Sequence, residues 1–330
     1  MTMLRSGTIV AMGGVAASIF SATGLDDAAQ WAAPITGRTS QIDALVPILG
    51  PRRLRQILVS CGLRYPQLRL IEGGEEMATS AYTTQRRYRG SVTTGWIDPD
   101  RVSEAWRRGA MLVFQSLHQY DTHAASLHRE FARLVRFDVR LNVYVAPPRA
   151  RGLGLHHDAH DVLVVQLDGE RSWTWWETFE QRPLPTAKPS FTSDPARYRR
   201  TVEARSRTEQ VLSPGNVIFL PAGTPHLAET VGVASTHLTV SLHRPSLADL
   251  ALRLAHQAAR SPTLRRAAPA LKSEALEASV LEAQRILVRE LGMIEPSDLE
   301  EIPIEAPGIL ETDLEPGLFT ESVAGPAEEW

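Results

Sequence analysis

From Val139 to Leu242 the sequence carries short apolar runs, the first of them strictly alternating, with turn signals between them, and nothing else in the sequence constrains the fold as tightly. Val139-Arg140-Leu141-Asn142-Val143-Tyr144-Val145 alternates and stops at Pro147-Pro148. Side chains two apart share a face of a strand, so this run reads as a half-buried strand. Val162–Leu167 is a second strand. Asp168-Gly169 is a preferred dipeptide of two-residue hairpins, and Arg171–Trp176 reads as the returning strand. Val217–Leu220 and Thr236–Leu242 complete the set. Short strands punctuated by turns predict a mainly β core, a jelly-roll barrel.

Helical patterns flank this core. Asp98-Pro99 reads as an N-cap followed by a proline at the first helical position, and Gly109 to Phe114 as a strand. Thr122 to Val135 places Leu127, Phe131 and Leu134 on one stripe. Ser246 and Asp249 resemble a capping box before Leu247, Leu250 and Leu254. Leu276, Val280, Ala283, Leu287 and Leu291 form a last stripe, stopped by Gly292. The expected organisation is a mostly helical segment over 1–100 wrapping the barrel, and a catalytic barrel over 101–245. A helical segment over 246–292 follows, suited to homodimerisation or to capping the barrel, and then an acidic extended tail over 293–330.

With 330 residues, 43% hydrophobic and 22% charged, the chain is long enough for a large core plus a smaller unit. A net charge of −3 gives no global attraction to nucleic acid or to an anionic membrane. The single cysteine, Cys61, excludes an intrachain disulfide, and its apolar neighbours predict a buried, inert thiol. Residues 6–22 faintly resemble a signal peptide but are broken by glycine and serine and lack a leucine-rich centre. A cytoplasmic protein with no membrane span is expected.

Two segments carry the chemistry. Gly152-Leu153-Gly154-Leu155-His156-His157-Asp158-Ala159-His160-Asp161 runs into the second strand, and Pro214 to His226 contains a strand followed by Pro221-Ala222-Gly223-Thr224-Pro225-His226. On a strand His156 and Asp158 point the same way and His157 the other. With His226, about 70 residues on, they offer two imidazoles and one carboxylate. That donor set suits Fe(II), and also Mn, Co, Ni and Zn. Held on one face of the metal it leaves about three positions open, as non-haem Fe(II) oxygenases require. The competing reading is surface histidines in a loop after Gly154. A straight strand would put Asp158 about 26 Å from Gln166, the expected cross-strand partner of Arg171, so either the chain bends in the polar Ala159-His160-Asp161 stretch or the barrel curls.

Five ordered segments resemble the JmjC-type oxygenases of the cupin-4 group, bacterial relatives of the ribosomal oxygenases. They are Asn142-Val143-Tyr144, Gly154 to Leu167, Gly169 to Trp173, Pro214 to His226 and Ser235 to Ser241, within roughly residues 100–245. The resemblance implies a double-stranded β-helix and a 2-oxoglutarate-dependent dioxygenase using Fe(II) and O2 to hydroxylate a substrate. It implies His156, Asp158 and His226 as iron ligands and as the catalytic centre. Arg171 would pair with the far carboxylate of 2-oxoglutarate, as an arginine fork suits. Asn142 and Tyr144 would line the co-substrate pocket, and Gln115, His118 and Ser241 would face the substrate. His160 and Asp161 fit either ligand-orienting groups or turn residues, and His237 either the interior face or the core. The implied partner is a protein or peptide side chain, arginine or histidine, of a ribosomal protein. The stretch after residue 292 is too short for the winged-helix domain of ribosomal oxygenases, which keeps a small-molecule or peptide natural product open. A metal-binding cupin without 2-oxoglutarate turnover is the reading from another class; it has no need of a carboxylate clamp such as Arg171.

Overall fold

The computed structural model describes residues 14–25, 31–178, 194–265 and 274–293. They fall into two units, divided between His243 and Arg244. In chain order the first unit contains α1 (Val15–Ala22), β1 (Ile35–Arg38), α2 (Ile42–Leu49), α3 (Pro51–Ser60), β2 (Leu68–Glu72), β3 (Glu75–Glu76), β4 (Thr83–Tyr88) and β5 (Ser91–Ile97). It continues through α4 (Pro99–Arg108), β6 (Met111–Phe114), α5 (Thr122–Val135), β7 (Asp138–Ala146), β8 (Asp161–Asp168) and β9 (Arg171–Trp176). It closes with α6 (Pro195–Glu203), β10 (Arg207–Leu212), β11 (Asn216–Leu220), β12 (His226–Thr230) and β13 (Ser235–His243).

An eight-stranded sheet in the order β1-β11-β8-β13-β7-β6-β2-β3 and a three-stranded sheet in the order β10-β9-β12 form the jelly-roll core. A separate hairpin joins β4 to β5, and every strand pairing is antiparallel. One face of the large sheet is apolar, with Leu141, Val143, Leu163, Val165, Val217, Phe219, Leu238 and Val240 buried, and helices cover it. Helix α5 contributes Leu127 and Phe131, and α1 lays Ala16, Ile19 and Phe20 into the same core. The opposite face looks toward the small sheet and is polar along part of its width. That division of one sheet into a structural and a chemical face positions the site.

The expected strands all form, and Asp98 and Asp121 cap α4 and α5 through their side chains. Two expectations are corrected. Asp168-Gly169 does not close a hairpin: β8 lies in the large sheet and β9 in the small one, so the turn is an arch between sheets. Gly169 has φ 63°, and a Cβ there would come within 1.8 Å of Ala234 O, which fixes glycine at the crossing. Among the described residues the segment before residue 100 combines α1, α2 and α3 with three strands of the large sheet and the β4–β5 hairpin. Cys61 is exposed: α3 ends there, Gly62 turns the chain at φ 58°, and Leu63 takes the buried position.

The second unit contains α7 (Leu247–Ala258) and α8 (Glu274–Leu291). Ser246 and Asp249 form the expected capping box, with Asp249 N donating to Ser246 Oγ at 3.1 Å and Ser246 N to Asp249 Oδ2 at 2.7 Å. Leu252 and Val288 are exposed. The acidic tail expected after residue 293 lies outside the described residues. Among those residues no helix is long and apolar enough to cross a membrane.

Candidate active site

The chain bends at Ala159-His160, one of the two outcomes the spacing allowed, and this bend separates β8 from the ligand segment before it. Residues 151–156 leave the large sheet and pair with β12 through bridges at Arg151–Glu229 and His156–His226. His226 N donates to His156 O at 2.8 Å and His156 N to His226 O at 3.2 Å, so the two histidines sit opposite each other by backbone pairing. Gly223 N donates to Asp158 O at 2.8 Å and ties in the third residue. The ligand atoms of His156, Asp158 and His226 lie within 4.8 Å of one another, and His226 Nε2 is 3.7 Å from Asp158 Oδ2.

Each imidazole is oriented by the carbonyl two residues before it. His156 Nδ1 donates to Gly154 O at 2.7 Å and His226 Nδ1 to Thr224 O at 2.9 Å. Those bonds fix the tautomer that leaves both Nε2 lone pairs free for a metal. Burial, reinforced by His156, pulls the His226 pKa down to about 4, so it is neutral at pH 7. Burial works against the charge of Asp158, but the surrounding His156, His160 and His226 outweigh it and hold the carboxyl below the usual range. Two imidazole nitrogens and an ionised carboxylate fit a divalent metal such as Fe(II).

These residues open onto a cavity of about 270 Å³ between the two sheets. Its far wall holds Arg171, the largest of the fully buried side chains. Arg171 Nη2 donates to Ala228 O at 3.1 Å and touches Met111 Sδ at 3.5 Å, while Nε and Nη1 have no hydrogen-bond partner among the described residues. Burial lowers its pKa to about 10, which leaves it a cation at neutral pH. A Cβ on Gly152 would come 2.5 Å from Arg171 Nη2 and 2.3 Å from Ala228 O, so only glycine admits the guanidinium here. A buried cation with two unused donors beside a His/Asp/His triad fits a small diacid bridging the two.

Period-two faces line the rest. On β7 Arg140, Asn142 and Tyr144 face the cavity, and on β13 their partners Ser241, Thr239 and His237 do the same. Asn142 Oδ1 accepts from Ser116 N at 2.8 Å. Tyr144 stacks on His237 at 4.9 Å and 4°, and burial raises its pKa to about 12. His237 faces the interior, and burial followed by Arg171 pushes its pKa down. Gln115 lines the cavity and accepts from Arg69 Nη1 at 3.1 Å. His118 is not brought to it: it is buried beside His128, ring on ring at 4.1 Å, and accepts from Leu141 N at 3.4 Å. His157 points away and shares a 2.9 Å hydrogen bond with Tyr198. Asp161 is buried and accepts from Ala222 N at 2.8 Å, whereas His160 lines the cavity and stacks on His243. Sequence reasoning missed Arg69, Arg140 and Thr239. The last two were within reach, since each is two residues from a named neighbour on its strand.

The comparisons agree with this geometry. A family model described as JmjC domain matches residues 116–250 of the chain. Ribosomal oxygenase 1 of Homo sapiens is 31% identical over 176 residues, which is 48% of this chain and 26% of that protein. Ribosomal oxygenase 2 of Bos taurus is 36% identical over 112 residues, 32% of this chain and 21% of that protein. The bifunctional lysine-specific demethylase and histidyl-hydroxylase NO66 of Aedes aegypti is 30% identical over 113 residues, 33% of this chain and 17% of that protein. The chain thus matches about a quarter or less of the length of these relatives. The solved structure of YcfD, a ribosomal oxygenase from Escherichia coli in complex with cobalt and 2-oxoglutarate, superposes with a TM-score of 0.50 at 15% identity, covering 82% of this chain and 65% of that one. At that identity the likeness concerns the fold.

Proposed function

We propose that this protein is an Fe(II)- and 2-oxoglutarate-dependent dioxygenase that hydroxylates a protein or peptide side chain. The observation that carries the reading is Arg171, a buried cation with unused donors on the wall of the cavity that also holds the triad. His156 Nε2, His226 Nε2 and an Asp158 carboxylate oxygen would hold the metal, and Arg171 the far carboxylate of the co-substrate. Bound Fe(II), with 2-oxoglutarate and O2, supplies an oxidant that inserts oxygen into a C–H bond, leaving succinate and carbon dioxide. The chain's own part is placement. Asn142 and Tyr144 border the co-substrate, and the apolar core behind the large sheet keeps water from that side. A cavity of about 270 Å³ is at the small end for a ligand site, which suits a diacid plus the tip of one side chain better than a bulky natural product.

The relatives named ribosomal oxygenase favour a ribosomal protein as substrate and the name histidyl-hydroxylase favours histidine as the residue, while arginine rests on the sequence resemblance alone. Succinate release from 2-oxoglutarate under air, with and without Fe(II), tests the reading. The wild type should form succinate only with iron, and His156→Ala should form none. Equal turnover in that variant would sink the assignment.

A further inference from the structure

The β4–β5 hairpin stands apart from both core sheets, and its residues 85–94 are all exposed. Residues 83–97 carry Arg86, Arg87 and Arg89 and no acidic residue, in a chain whose net charge is −3. Among the described residues neither these three nor the adjacent Arg64 forms an ion pair. Arg86 and Arg64 lie over the Trp96 ring at 4.3 and 5.3 Å. Arg64 is further held by two hydrogen bonds to Thr94 O, at 3.2 and 2.8 Å. Two of the cations are therefore braced, and their charge stays at the surface.

Tyr88 is 74% exposed beside them, on the same strand face as Arg86. Arg89 reaches over its ring at 5.6 Å. Arg89 and Gly90 form the turn with φ 48° and 82°, and the first position of such a turn favours asparagine, aspartate or glycine. Turn geometry therefore does not account for an arginine there. Unneutralised arginines around an exposed aromatic ring match a phosphodiester chain with unstacked bases: guanidinium groups take phosphates, and the ring takes a base face. An acidic peptide would use the charge and leave the ring idle. Charges beyond about 8 Å are screened at physiological salt, so the acidic balance of the rest of the chain does not cancel the patch.

We infer that the β4–β5 hairpin is a docking surface for a single-stranded stretch of nucleic acid, independent of the oxygenase site. The test is fluorescence anisotropy with labelled U12 RNA and dT12 DNA, on the full chain and on two exposed-site variants. Binding should be saturable and similar for both probes, and should weaken with salt at a log–log slope of about −2 for roughly three phosphates. Arg87→Glu with Arg89→Glu should weaken it at least roughly tenfold, and Tyr88→Ala roughly 5- to 150-fold. Arg87→Gln with Arg89→Gln serves if the reversal perturbs folding, as read by thermal unfolding. No saturable binding at low salt, or binding indifferent to the arginine variants, would overturn the inference. So would a polyglutamate competitor as effective as unlabelled U12, together with a silent Tyr88→Ala, because that pattern belongs to an acidic protein partner.

Discussion

The two ends of the cavity are built in opposite ways. At the triad end, each histidine is aimed by the carbonyl of the residue two before it, Gly154 for His156 and Thr224 for His226. Each imidazole and the carbonyl that aims it lie within a few residues, and only the pairing of His156 with His226 is long-range. At the arginine end nothing is local: Arg171 meets Ala228 and Met111, 57 and 60 residues away, and two of its nitrogens are left over. The first end is satisfied by the fold itself. The second is costly to the fold and becomes satisfied only by an anion, which is how a binding site differs from a structural ion pair.

That contrast can be broken by substitution, the largest effects first. His226→Ala should abolish metal-dependent turnover, well beyond the ~10–100-fold loss that follows removal of a ligand's outer hydrogen-bond partner. Metal affinity measured by calorimetry should fall with it. Arg171→Met should cost about 2–5 kcal/mol of co-substrate binding, yet leave the ligand-free protein as stable or up to about 2 kcal/mol more so. Thermal unfolding with and without 2-oxoglutarate reads both, and a large loss of stability without ligand would mean the arginine is structural. Gly152→Ala should fall between, since its Cβ meets Arg171 and Ala228 O. A strain of about 1–3 kcal/mol and weaker 2-oxoglutarate binding are expected, with the metal affinity kept.

The smallest effect on activity concerns a pair outside the cavity. Burial, and then His128, lowers the His118 pKa to about 3, and burial lowers that of His128. Both are neutral when folded, whereas unfolded histidines take a proton near pH 6.5. The His118 contribution is therefore whole above that value and is lost as pH falls from about 6.5 toward 3, and His128 acts in the same direction. The slope from His118 approaches about 1.4 kcal/mol per pH unit. His118→Phe should flatten this acid limb in urea titrations at several pH values without altering co-substrate binding.

The same contrast explains what the sequence made legible. Strands β7 and β13 declare themselves by alternation, β8 and β11 by short apolar runs between turn signals, and the triad by an H-x-D segment and a Pro-x-Gly-x-Pro-His segment, because each of these signals is local. Arg171 is legible as a residue only through family resemblance, since its burial depends on β12 and on the absence of a side chain at Gly152. Asp168-Gly169 misleads because a turn dipeptide specifies backbone angles and not which sheet receives the next strand. Gln115 continues the Met111, Val113 alternation into the cavity. His118 comes after the chain has left that strand at Ser116, φ 49°, so its direction does not follow from the same count.

The most direct test is anaerobic titration of the Fe(II)-loaded protein with 2-oxoglutarate, followed by visible absorption, with Arg171→Met and His226→Ala alongside. A saturable metal-to-ligand charge-transfer band is expected in the wild type, displaced to much higher 2-oxoglutarate in Arg171→Met and missing in His226→Ala. No band in a wild type that demonstrably holds iron would contradict the account and leave a metal-binding barrel without this co-substrate.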